Sequence, residues 1–182
     1  MKIIVFILIT ILAFTQATYA QSYLTKNGKI SFFSKTDIEN IDAVNNQVIS
    51  VITPQTGSIA FSVLITGFLF KKALMQEHFN ENYMESAKYP KAGFKGTITD
   101  LSKVDFKKDG SYSVTVSGDL NIHNVTNKIT VPAVIQVKGS KVSANTTFTV
   151  KLGDYKISVP KIVEGNISKT IEIKVDCNYV PK

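Results

Sequence analysis

The chain has 182 residues and a formal net charge of +7, with one cysteine and two histidines. That length suits one domain, and a lone cysteine excludes an intrachain disulfide. The lysines are scattered, with short pairs only at positions 71–72 and 107–108. No basic patch or stacking platform marks a nucleic-acid surface, while attraction to anionic lipid headgroups stays open.

Residues 1–20, MKIIVFILITILAFTQATYA, read as a secretory signal peptide. Lys2 is the basic start, Ile3 to Phe14 the apolar core, and Thr18-x-Ala20 the small-residue exit. The uncharged run from Ile3 to Ala17 is short for a membrane span, which needs about 20 residues. The expectation is cleavage after Ala20 and a mature domain, residues 21–182, that is periplasmic or secreted.

From Gln21 onward the hydrophobic period is 2. Ile30 and Phe32 alternate with Lys29 and Ser31 in a first strand. Residues 37–44 are ambiguous and lean to extended, and Gln47 to Thr53 is a strand ended by Pro54. Ser58 to Thr66 places Ile59, Phe61, Val63 and Ile65 on one face. Gly67-Phe68-Leu69-Phe70 then leads into the one helical run, residues 73–90. There Leu74, Met75, His78, Phe79, Tyr83 and Met84 make a broad stripe opposite Gln76, Glu77, Asn80 and Glu81. Pro90 is the expected stop.

Beyond Pro90 the alternation resumes. Phe94, Gly96 and Ile98 share a face, and Asp109-Gly110 has the chemistry of a two-residue hairpin turn. Val114, Val116, Gly118, Leu120 and Ile122 follow, then a connection at His123 to Asn127. Ile129 to Val137, a Lys138-Gly139-Ser140 turn, Val142 to Leu152, and a final strand from Ile167 to Tyr179 complete the chain. Cys177 sits in the last alternation as a small buried hydrophobe. About eight or nine antiparallel strands with one inserted helix describe an all-β sandwich or a closed barrel.

Little in the chain supports catalysis. No nucleophile elbow, phosphate loop or dinucleotide fingerprint is present. A metal site would have to join His78, His123, Cys177 and Glu77 across distant elements, without any spacing to support it. His123 is expected to bond backbone in its turn. The glutamates at 77, 81 and 85 read as a solvated helix face. No cofactor is implied.

The remaining signal is apolar. Phe32, Phe61, Val63, Ile65, Phe94, Val114, Val116, Leu120, Ile122 and Phe148 are the inward candidates. Phe68, Phe70, Leu74, Phe79, Tyr83 and Met84 gather around the helix, with His78, Lys71, Lys72 and Tyr155 as a polar rim. The same pattern describes a filled core. The glycines at 96 and 118, on inward positions, leave room for a chain-like ligand instead.

Three blocks carry a resemblance. HFNENYMESAKYPKAGFKG, with His78, Phe79, Tyr83, Met84, Tyr89-Pro90 and Phe94, resembles the YceI-like family of exported bacterial proteins. GDLNIHNVTNKITVP is similar to that family's turn between strands, with Asn124 in place of its usual glycine. Asn tolerates the left-handed conformation, so the turn is expected to survive. Asp154-Tyr155-Lys156-Ile157 with Pro160 is the third block. The resemblance implies a lipocalin-like barrel with an apolar tunnel for a polyisoprenoid, a quinone or another long-chain lipid, held without catalysis. An exported structural or protein-interaction barrel with a filled core is the alternative. Peripheral membrane contact and a homodimer remain open.

Overall fold

The computed structural model describes residues 21–182, so the expected signal peptide lies outside the described residues. Nine strands form one antiparallel sheet: β1 (Tyr23–Lys35), β2 (Asn40–Thr53), β3 (Ser58–Leu64), β4 (Leu69–Phe70), β5 (Lys91–Ile98), β6 (Gly110–Ile122), β7 (Val125–Lys138), β8 (Lys141–Lys151) and β9 (Thr170–Pro181). The order β1-β9-β8-β7-β6-β5-β3-β2 closes through a β1–β2 pairing into an eight-stranded barrel, with β4 added on β2. Closure leaves each long strand paired on both sides, which removes the exposed edges of an open sheet. The expected all-β barrel is the fold.

Strand length follows from alternation sustained across tight turns. At the β6–β7 hairpin His123 and Asn124 both have positive φ, 50° and 59°, as a two-residue type I′ turn requires. The Asn124 turn therefore survives as expected. Gly139, at φ +58°, serves the β7–β8 turn. Residues 37–39 form a turn rather than strand, and β2 then runs unbroken from Asn40.

Asp109-Gly110 does not make the expected tight hairpin. Residues 99–109 form a longer connection containing a 3-10 turn at Leu101–Lys103, and the Asp109 carboxylate accepts the Gly139 N–H at 2.7 Å. That connection folds over one end of the barrel, where Phe106 stacks on Tyr23 with ring centroids 6.0 Å apart.

The helix is also shorter than expected. The α-helix α1 covers Ala73–His78 and widens into a π-turn over Phe79–Tyr83. The Met84 N–H reaches the Phe79 carbonyl at 2.9 Å. Glu85, in the left-handed region at φ 43°, ends the run five positions before Pro90, by the backbone reversal that commonly closes helices. Widening by one residue brings Phe79, Tyr83 and Met84 toward the barrel together. It leaves Leu74 on the outside at 61% exposure, which corrects its assignment to the apolar face.

Candidate ligand-binding cavity

A cavity of about 350 Å³ occupies the barrel from its middle to the α1 end, and its walls are almost wholly carbon. The volume falls within the range of roughly 300–1,000 Å³ typical of ligand sites. Of the residues expected to bind ligand, Phe32, Phe61, Val63, Ile65, Phe68, Phe70, His78, Phe79, Tyr83, Met84, Phe94, Val116, Leu120 and Phe148 line it. Leu74 and Tyr155 do not. Tyr155 is the buried last residue of the 3-10 turn at Leu152–Tyr155. Val114 points inward but belongs to the filled end.

Phe32, Phe68, Phe70 and Phe79 close the α1 end. Their ring centroids are 5.1–5.7 Å apart across the contacts of this cluster, within the range where aromatic pairs attract. Lysines at the rim are already engaged: Lys71 Nζ lies 2.7 Å from Asp42 and Lys72 Nζ 2.8 Å from Glu39. The Glu39 carboxyl is held below its usual range by the hydrogen bonds from Lys72 and Asn166. Glu39, Asn166, His78, Tyr83 and Ser34 are polar side chains at this end of the cavity.

At the floor, the Tyr179 hydroxyl and Ser50 Oγ share a buried hydrogen bond of 2.9 Å. Burial pushes the Tyr179 phenol up, so the floor is neutral and presents no charge to an apolar chain. Neighbouring Cys177 is 1% exposed, and burial raises its thiol to about 11. It is the inert small side chain that alternation suggested.

Glycines 96 and 118 do not open onto space. They face each other across β5 and β6. A Cβ on Gly96 would lie 2.5 Å from Phe94 Cζ, and one on Gly118 2.8 Å from it. The tip of the Phe94 ring therefore reaches over the glycine pair, the arrangement by which an aromatic covers bare backbone in a sheet. Room is gained indirectly: the ring rests against the wall rather than standing in the lumen.

His123 does not bond within its own turn. Its Nε2 is 2.7 Å from Glu85 and its Nδ1 3.2 Å from the Tyr155 carbonyl, with Tyr89 edge-on at 4.7 Å. It ties the β6–β7 turn to the end of the π-turn and to the segment after β8. This is a structural joint, made by a Glu85 side chain that stays 45% exposed, as expected of a solvated position.

The aliphatic half of the lining escaped attention. Ile129, Val131 and Ala133 on β7, and Ile171, Ile173 and Val175 on β9, line the cavity. Their strict alternation is the signal that marks them, as it marks the aliphatics of β3 and β6. Ser34, Ser50 and Asn145, polar positions inside the barrel, had no sequence signal.

A family model described as the YceI-like domain matches residues 16–179. UPF0312 proteins of Pseudomonas savastanoi pv. phaseolicola and Pseudomonas syringae pv. tomato are 26% identical over 136 residues, 71% of this chain and 65% of theirs. The match thus spans somewhat less than two thirds of the length of those relatives. Among solved structures, a polyisoprenoid binding domain from Saccharophagus degradans superposes with TM-score 0.77 at 14% identity, covering 90% of this chain and 99% of that one. Burkholderia cenocepacia BcnA gives 0.67 at 16% identity over 84% and 96%. The Campylobacter jejuni YceI protein gives 0.63 at 17% identity over 81% and 88%. These structures share the fold.

Proposed function

Because the chain belongs to the YceI-like domain family, we propose that it is an exported, non-catalytic binding protein that holds one long apolar chain in its barrel. The cargo is of the polyisoprenoid, quinone or long-chain lipid class. The observation that carries this reading is the carbon-lined cavity of about 350 Å³. Burying a methylene is worth about 0.8 kcal/mol, so a chain threaded along Phe61, Phe94, Val131 and Phe148 binds through length rather than through any single contact. His78 and Tyr83, which line the cavity at its α1 end, would meet a polar headgroup. With Lys71 and Lys72 engaged by Asp42 and Glu39, they are not free to do so.

Export is supported by the reading of residues 1–20 as a signal peptide. The non-catalytic reading is supported by the chemistry of the walls: a neutral Tyr179–Ser50 floor and aliphatic sides offer no paired acid and base. Among the described residues no group of three or more His, Cys, Asp or Glu is placed to hold a metal. The polyisoprenoid-binding domain from Saccharophagus degradans supports the ligand class by its shared fold. The filled-core alternative describes only the end of the barrel beneath Phe106.

Native mass spectrometry of the purified protein, followed by organic extraction and lipid identification, tests the proposal. A stoichiometric long-chain adduct is the expected result. Bare protein that takes up neither added quinone nor polyprenyl lipid overturns it.

A further inference from the structure

The barrel wall is not laddered all the way round. β7 pairs with β6 from Val125 to Val137, and β8 pairs with β9 from Val142 to Lys151. Yet β7 and β8 pair with each other only from Val134↔Asn145 to Lys138↔Lys141. Beyond that point Ala133, Val131 and Ile129 on one side and Thr146, Phe148 and Val150 on the other have no ladder partner across the seam.

The cause is local. The N and C=O of one strand residue point to the same side. Pro132 has no N–H to give β8, so the ladder stops where proline usually stops one. Its carbonyl is taken by the Thr146 side chain, Oγ1 to O at 2.6 Å, instead of by backbone. Further along, the seam is tied again: Asn127 Nδ2 donates to the Asp154 carbonyl at 2.8 Å, and His123 Nδ1 lies 3.2 Å from the Tyr155 carbonyl. The opening is a window with hydrogen bonds at both ends, on the order of 20 Å long at about 3.3 Å per residue.

Two further observations give it a use. Ala133, Asn145 and Thr146 line the lumen and also line a hollow on the outer wall beside Asp100, Lys103 and Thr147. At the point where the ladder ends, the wall is one side chain thick. Meanwhile Phe106 on Tyr23 stoppers one end of the barrel, and the four-phenylalanine cluster narrows the other beside Glu39 and His78.

We propose that the β7–β8 window is a lateral portal through which the long apolar ligand enters and leaves the cavity. The proposal rests on the reading of the cavity as the ligand site. Parting two strands that share no ladder hydrogen bonds there is easier than unstacking four aromatic rings.

Stapling tests it. Thr130 and Thr149, both exposed on the outer faces of the flanking strands, are changed together, Thr130→Cys and Thr149→Cys. They are then joined by a bismaleimide with an internal disulfide. A second variant, Asp42→Cys with Lys71→Cys, staples α1's leading edge to the β1–β2 hairpin instead. Native Cys177, buried, does not compete for the reagent. The readout is stopped-flow fluorescence of cis-parinaric acid uptake and release.

The window staple is expected to slow both phases by about tenfold or more, with recovery on reduction, since a step needing a conformational change then limits association. The α1 staple is expected to change them less than about twofold. Slowing by the α1 staple alone, equal slowing by both, or no slowing by either overturns the portal. Unstapled protein that takes up no probe overturns the cavity reading itself, and the portal with it.

Discussion

The two halves of this barrel use the same alternating strands to opposite effect. Around Phe106, the inward positions of neighbouring strands carry Ile52, Ile98, Val114, Ile135, Val137 and Val142, each 5% exposed or less. Branched aliphatics on facing strands interdigitate, and the 99–109 connection seals them beneath Phe106 and Tyr23. Toward α1 the inward positions carry phenylalanines. Phe94 reaches over Gly96 and Gly118, and Phe32, Phe68, Phe70 and Phe79 stack at the end, so the axis stays empty. The difference teaches that apolar content does not decide whether a barrel is filled. What decides is whether the rings stand in the lumen or lie against its wall.

The comparison can be broken most sharply at Ile135, 1% exposed and outside the cavity lining. Ile135→Ala is expected to lose about 2–5 kcal/mol in chemical denaturation, because the packed half cannot collapse around the deletion. Phe61→Ala in the hollow half should cost clearly less than that range while enlarging the cavity. Equal losses would show that both halves are packed alike.

A pH titration probes the packed wall of the barrel. The thiol of Cys177 has an ordinary value of 9.0 and is raised by burial to about 11. In the unfolded chain it ionises first, so the folded state holds the extra proton between those values. Stability is therefore full below pH 9 and falls as pH rises to 11. At about 1.4 kcal/mol per unit, the loss is roughly 2–3 kcal/mol. Cys177→Ala should flatten that part of the curve, measured by denaturation midpoint at each pH. An unchanged alkaline slope would place the effect elsewhere.

Gly118→Val sharpens the hollow side. Its Cβ would overlap the Lys95 carbonyl and Gly96 Cα, and its methyls would lift the Phe94 ring into the lumen. The expected cost is about 1–3 kcal/mol, as for other overpacked sites, together with loss of probe binding. Full binding in a stable Gly118→Val protein would mean that Phe94 does not shape the cavity.

Period-2 alternation and turn chemistry, both local, were enough to read an antiparallel all-β chain, the β6–β7 turn at Asn124 and the burial of Cys177. Most cavity-lining aromatics were legible for the same reason: alternation assigns a face, and large rings on an inward face are conspicuous. Leu74 was misplaced because helical periodicity assumes a uniform turn, while the π-turn at Phe79–Tyr83 depends on how the segment meets the barrel. Tyr155 was misplaced because an irregular segment has no period to read. Asp109-Gly110 had hairpin chemistry, yet β5 and β6 are joined by a segment that covers the barrel's end, a demand no dipeptide encodes. Gly96 and Gly118 were noticed as space, but only their pairing across β5 and β6 shows them to be a seat for Phe94.

The chain by itself determined its strands, its turns and which side of each strand is apolar, since these follow from residue-to-residue sterics and hydrophobicity. Closure into eight strands, the empty axis and the window beside Pro132 were decided only in three dimensions. Each depends on which residues face one another across strands far apart in the chain.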